Sequence, residues 1–280
     1  MDIRELDKKY VANTYNRFPP VLVSGRGATF TDADGKKYID FGSGIGVNSF
    51  GAADSEWVAA VTAQLGKLQH TSNLYYTEPC VRLAQALSEK TGPKRVFFGN
   101  SGAEANECAI KTARKWAFDA AGDESRSTVI TLKNSFHGRT LATLAATGQD
   151  VFHTKFGPFP AGFAYADPAD PASLRALAAK GDACAVMIEC VQGEGGINVL
   201  TDEFIAEVKA VCEEFGLLLI CDEVHTGNGR TGKYFSYMHF GLTPDIVTTA
   251  NGLGGGLPIG ACLLGERVEN TLDAGSHGST

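Results

Sequence analysis

No stretch of this 280-residue sequence is apolar for anything near the length of a bilayer span, so nothing in it reads as a membrane helix. Basic residues are in the minority: 25 Lys and Arg stand against 32 Asp and Glu, a formal net charge of −7. Nucleic acids and anionic membrane surfaces both select a basic face, so neither is an expected partner. C-x-x-C spacing is missing among the seven cysteines, which removes the usual zinc and dithiol patterns. The count is odd, and the chain is too long to need disulfide staples. Cys184, Cys190 and Cys221 lie in or beside apolar runs and read as reduced core residues. The opening MDIRELDKKY is charged and has no apolar signal region. Repeats, linkers and low-complexity tracts are missing too. What is present is 44% apolar residues, enough for a sizeable core. The expectation is a soluble cytoplasmic α/β protein, one large domain or one domain with a smaller appendage.

The start reads as a small β element. Residues 21–23 and 28–31 are strand-like, and Asp34-Gly35 turns the chain into 37–41, a hairpin signal. From about residue 46 strands and helices alternate. A β run at 95–99 precedes a helix over 103–118, with Ala109, Ala113, Trp116 and Ala117 on one face. Strands are predicted at 128–133 and 184–189. The helix that follows puts Phe204, Val208, Val211, Cys212 and Phe215 on its buried side and Glu207, Lys209, Glu213 and Glu214 outside. Strands at 217–221, 245–249 and 259–264 close the set. Strands apolar throughout imply a mostly parallel central sheet flanked by helices on both faces. The chain stops at Gly-Ser-His-Gly-Ser-Thr280 without a helix terminus, which reads as a fragment.

Ligands of open α/β sheets sit at the carboxyl ends of the strands, so the segments there matter most. Ser101-Gly102 leads into a helix start, which is either a phosphate cradle or an ordinary N-cap with a glycine turn. After 128–133 come Phe136, His137 and Arg139. The ring can stack on a flat cofactor and the guanidinium can grip a carboxylate; the alternative is a core Phe and a solvated Arg. Asp222 and Glu223 end a central apolar strand. A carboxylate there needs a partner, either a cationic heterocycle nitrogen or a lysine or arginine. Gly227, Gly229 and Gly232 fit G-x-G-x-x-G, but residues 222–226 separate them from the strand and no clean helix follows. That context excludes a dinucleotide fingerprint.

Taken together, the segments resemble the class III, fold-type-I aminotransferases. The carriers are SGAEANE at 101–107, FHGRT at 136–140, VQGEGG at 191–196, CDEV…TGNGRTG at 221–232, PDI at 244–246 and GLGGGLPIGA at 252–261. The stretch from His70 to Pro79 is similar to the acetylornithine aminotransferase branch. The resemblance implies a pyridoxal-phosphate large domain over 46–280, residues 1–45 as the N-terminal segment of a small domain, and no C-terminal small domain. It implies the cofactor pyridoxal 5'-phosphate and a homodimer with the active site at the interface. It also implies roles. Backbone groups at Ser101, Gly102 and Ala103 hold the phosphate. Phe136 and Val224 flank the ring. Asp222 pairs with the ring nitrogen and keeps it protonated. Arg139 binds a substrate carboxylate, Glu194 lies on the substrate side, and Thr280 reaches the phosphate of the neighbouring subunit.

The departures from the family are at chemically central positions. Asn251 stands where the family keeps the lysine that carries the cofactor and shuttles a proton. An amide is neither a useful nucleophile nor a base near neutral pH. His225 replaces a glutamine that touches the ring hydroxyl, Cys190 replaces a proline, and Gly51-Ala-Ala-Asp-Ser55 replaces a G-H-x-H-P stretch. The arginine that the family carries on its C-terminal small domain is absent as well. The family reaction moves an amino group from N-acetylornithine or a related omega-amine to 2-oxoglutarate. The expectations are therefore an impaired transaminase or a pseudoenzyme that holds the cofactor without a covalent link, or steadies an active partner by dimerising with it. Decarboxylation or racemisation on the same cofactor would still want the lysine.

Overall fold

The computed structural model describes residues 2–92 and 94–280, and the chain divides into two compact units, Met1–Gln69 and His70–Thr280. In the first unit, Asp2 caps helix α1 (Ile3–Tyr10). Strands β1 (Leu22–Arg26), β2 (Thr29–Asp32) and β3 (Lys37–Ile39) form an antiparallel sheet. The Asp32 carboxylate accepts hydrogen bonds from the N–H groups of Asp34 and Lys36 and from the Tyr38 hydroxyl, which closes the β2–β3 turn. A short α2 (Ser43–Gly46) follows. Gly27 then bridges Ala52, so the unit runs beyond the hairpin to take in α3 (Ser55–Leu65), which Asp54 caps. Asp32 is the only described residue of this unit that is fully buried.

The second unit carries the apolar core. Helix α4 (Glu78–Thr91) leads to β4 (Arg95–Gly99), α5 (Gly102–Ala121), β5 (Thr128–Leu132), α6 (Leu141–Ala146), α7 (Asp150–His153), β6 (Phe163–Ala166), α8 (Pro171–Ala178) and β7 (Ala183–Ile188). The hairpin β8–β9 (Val191–Gln192, Asn198–Val199) precedes α9 (Asp202–Glu214), β10 (Leu218–Asp222), β11 (Ile246–Thr249) and β12 (Gly260–Leu264). The seven-stranded sheet has the order β4-β12-β11-β10-β7-β5-β6. Its pairings are parallel except where β12 runs against both neighbours, β11 and β4. The predicted α/β class and mostly parallel sheet are thus found, and β4, β5, β7, β10 and β11 all end at one edge.

Strand β10 shows why its sequence does not alternate. Leu218 and Ile220 face the layer containing Ala109, Ala113 and Ala117 of α5, whereas Leu219 and Cys221 face the layer of Phe204, Val208 and Val211 of α9. Both faces are covered, so every position is apolar. The alternation carries on past the last apolar residue. Asp222 turns toward α5 and Glu223 to the other side. There Glu223 accepts hydrogen bonds from the Thr226 hydroxyl (2.6 Å), the Ser236 N–H and hydroxyl (2.9 and 2.7 Å) and the Tyr237 N–H (2.8 Å). Burial pushes its carboxyl above the usual range in spite of these donors. The glycine series at 227–232 lies in turns, followed by the short 3-10 helix Ser236–His239 and not by an α-helix opening on the glycines.

Candidate active site

Ser101, after β4, is the N-cap of α5; its hydroxyl accepts the Glu104 N–H (3.2 Å) and its carbonyl accepts the Ala105 N–H (3.1 Å). The N–H groups of Gly102 and Ala103 have no acceptor inside the helix and sit at its positive end. Gly102 is required sterically: a Cβ there would lie 2.5 Å from Cγ1 of Val224. The N-cap with its glycine turn is thus found at Ser101-Gly102. The C-terminal segment lies along the same helix. Ser279 donates to Glu104 (2.9 Å), Asn100 donates to Ser279 (3.0 Å) and Lys111 donates to the Ser276 carbonyl (2.8 Å), which leaves Thr280 exposed beside them.

Asp222 is buried (4% exposed). Its Oδ1 accepts the Val224 N–H (2.9 Å), and its Oδ2 accepts from the Asn106 amide (2.8 Å) and His137 Nδ1 (2.7 Å). Among the described residues no lysine or arginine pairs with it, so the salt-bridge alternative does not hold. Asn106 also donates to the His137 carbonyl (2.8 Å), which binds α5 to the segment after β5. Two oxygens offer about four lone-pair sites, and Oδ1 uses only one of its own. The group keeps capacity for one more donor. A flat cation with an N–H, of the kind pyridoxal phosphate carries in its ring, matches that requirement.

Glu189 follows β7, at the register position next to Asp222, because Ile188 pairs with Cys221. It is 5% exposed, and its Oε2 accepts the Phe136 N–H (3.0 Å). Burial, then the neighbouring Asp222 charge, pushes its carboxyl well above the usual range. Cys190 beside it is buried, and so is Cys221, whose thiol burial raises well above its ordinary value. All seven cysteines are free, and the three expected in the core, Cys184, Cys190 and Cys221, are buried there. The His225 ring packs on Gly193, where a Cβ would stand 2.6 Å from the imidazole. Glu194 is exposed on the β8–β9 turn.

Phe136 is half-buried rather than fully in the core, and Arg139 is exposed, as the plain reading of a solvated Arg has it. The Arg139 guanidinium lies over the Phe136 ring (5.5 Å) and over Phe152 (4.4 Å). Asn251 follows β11 and begins a 3-10 turn, Asn251–Leu253, with φ of 42°. Asparagine tolerates that left-handed backbone better than most side chains do. Asn228 fixes the approach by donating to the Thr249 hydroxyl (3.0 Å) and the Ala250 carbonyl (3.1 Å).

Sequence reasoning did not assign Asn106, Glu189, Asn228 or Phe152, and it noticed His137 without giving it a role. Asn106 carried a signal, since it shares a helix face with Ala109, Ile110 and Ala113, and a polar amide on a buried face needs a partner. Phe152 carried none, because only the fold brings α7 to Arg139.

Residues 10–280 match the class III aminotransferase family. The acetylornithine aminotransferase of Haemophilus ducreyi is 56% identical over 99% of this chain and 70% of its own length. The ornithine aminotransferase structure from Toxoplasma gondii superposes with a TM-score of 0.94 at 32% identity, covering 99% of this chain and 66% of that one. The N-acetylornithine aminotransferase structure from Stenotrophomonas maltophilia gives 0.81 at 39% identity, covering 96% and 66%. The chain thus spans about two thirds of the length of the structures it matches. On the sequence match, the shared fold and a site whose donors fit the cofactor, this chain belongs to the class III aminotransferases, a pyridoxal-phosphate-dependent family.

Proposed function

We propose that this chain binds pyridoxal 5'-phosphate without a covalent link, in a site inherited from enzymes that pass the amino group of an acetylornithine-type omega-amine to 2-oxoglutarate. The observation that carries the reading is the Asp222 cluster, buried with Asn106 and His137, joined by the Val224 N–H and unpaired with any described lysine or arginine, at the sheet edge that also bears Asn251. When bound, the cofactor supplies an electron sink for a carbanion at the carbon bearing the amino group. The rest is the work of this chain. The N–H groups of Gly102 and Ala103, with Ser101, hold the phosphate at the positive end of α5. Phe136 and Val224 flank the ring, and Asp222 accepts the ring N–H. His225 replaces a neutral amide beside the ring hydroxyl. Arg139 offers its fork to a substrate carboxylate, and Glu194 stands on the substrate side. Asn251 cannot hold or release a proton near neutral pH, so the acid–base carrier is missing from its usual place.

The partners proposed are a small amino donor, a 2-oxo acid and a second copy of the chain, with Thr280 of one copy reaching the phosphate bound by the other. Titration with pyridoxal phosphate, followed by borohydride and mass spectrometry, tests the core of this reading. Saturable binding with an unmodified polypeptide is expected. The Asn251→Lys chain should instead retain the pyridoxyl mass. A stable adduct on a lysine of the unsubstituted chain within the site, or no binding at all, overturns the reading. Multiple turnover with 2-oxoglutarate by the unsubstituted chain favours an active transaminase instead.

A further inference from the structure

Arg139 is exposed, and among the described residues no carbonyl, hydroxyl or carboxylate accepts a hydrogen bond from it. A guanidinium has five N–H donors in a fixed plane and normally spends them. What holds this one is aromatic. Its central carbon lies 4.4 Å from the Phe152 ring centre and 5.5 Å from that of Phe136, inside the range for a cation–π contact. The two rings meet edge to face, with centroids 5.8 Å apart. The arginine is therefore held against two aromatic rings while its N–H donors stay unspent.

Phe152 is well placed to do this because α7 is tied down on both sides. The Gln149 amide donates to the Ser135 carbonyl (3.0 Å), and the Gly148 N–H donates to the Ser135 hydroxyl (3.0 Å). Ser135 immediately precedes Phe136, so the two aromatic residues share one anchor. On the far side, His153 Nε2 pairs with the Leu144 carbonyl (2.9 Å), and its ring stands 5.3 Å from Phe159 and 6.1 Å from Tyr165.

We propose that Phe152 is a positioning residue for substrate: with Phe136 it clamps the Arg139 guanidinium so that the fork presents its edge to a carboxylate. The clamp removes rotamer freedom from a long side chain before the ligand arrives, and it does so without occupying a single donor. The inference rests on the carboxylate role given to Arg139 above. It adds a residue that touches neither cofactor nor ligand.

The test uses the full chain loaded with pyridoxamine 5'-phosphate and titrated with glutarate, a dicarboxylate with no reactive carbonyl. Nitrogen-15 NMR of arginine-labelled protein is read alongside. Binding should vanish in Arg139→Ala. In Phe152→Leu it should weaken by roughly three- to tenfold, the scale of one cation–π contact. Phe152→Tyr should restore it, and a melting curve for each variant reports on folding. Before any glutarate is added, the Arg139 Nε–H signal should be displaced by ring current in the unsubstituted chain and should lose that displacement in Phe152→Leu. If Arg139→Ala abolishes binding while a folded Phe152→Leu binds as before, the clamp is wrong and the carboxylate role survives. If Arg139→Ala binds glutarate like the unsubstituted chain, the carboxylate role is wrong and the clamp falls with it.

Discussion

At the scale of single residues, the site is organised by buried carboxyl groups that differ in their donors. Asp222 takes three donors, none of them a lysine or arginine side chain, and Glu189 takes a backbone N–H while facing Asp222. If Asp222 meets the ring N–H, Asp222→Asn should weaken pyridoxal phosphate binding by about 2–4 kcal/mol. His225→Gln exchanges one ring-hydroxyl partner for another and should cost much less. Titrating both variants checks this, and equal losses would count against Asp222 as the ring partner. Glu189 carries a pH signature. Burial and the Asp222 charge raise its folded-state value well above the ordinary 4.5, which disfavours ionisation in the folded chain. Its contribution to stability is complete below that ordinary value and is lost as pH rises through the raised one. Glu189→Gln keeps the neutral shape and lacks the ionisation. Urea melts in mildly acidic and in alkaline buffer should show the unsubstituted chain losing ground to Glu189→Gln as pH rises. Parallel behaviour would show that Glu189 ionises freely.

At the scale of elements, the entry into α5 concentrates several constraints in a few residues. Ser101 caps the helix, and Gly102 lets Val224 approach to a distance that no Cβ would allow. Ser101→Ala should lower stability by about 0.5–2 kcal/mol, measured by urea denaturation. Gly102→Ala must displace Val224 or the helix start, so it should reduce cofactor affinity by more than its effect on the urea midpoint explains. Equal effects on both would mean that this glycine serves packing alone. Much of this layer was legible beforehand. The helices around 103–118 and 204–215 and six of the seven strands of the large sheet, all but β6, were visible because apolar periodicity reports burial directly, and their boundaries moved by only a few residues. The reversed direction of β12 was not legible, because an apolar run has no polarity of its own. Nor was the β8–β9 hairpin, whose two-residue strands are too short to show a period.

At the scale of the whole chain, the two units differ in kind. Every fully buried apolar residue described lies between Leu87 and Val268, in the second unit. The first unit leaves Phe18, Ile39, Phe41 and Ile45 more than half exposed. Hydrogen exchange on the intact chain should therefore find the deepest protection in β5, β7 and β10 and fast exchange throughout 2–69. Slow exchange in β1–β3 comparable to β10 would show that the first unit draws stability from elsewhere. The sequence was enough to decide the α/β class, the family and the set of strand-end loops, since each is a matter of local pattern or motif order. It left open whether Ser101 was cap or cradle and whether Asp222 met a lysine, an arginine or a ligand. The cap at Ser101 and the lack of a described lysine or arginine on Asp222 were decided by which side chains from distant segments arrive at one sheet edge. Asn106, His137 and Asp222 are far apart in the chain yet share three hydrogen bonds, and Phe152 meets Arg139 only because α7 folds back onto the loop after β5. Burial pattern is written one residue at a time, whereas the partner of a buried charge is a property of the packing, and only the packed structure contains it.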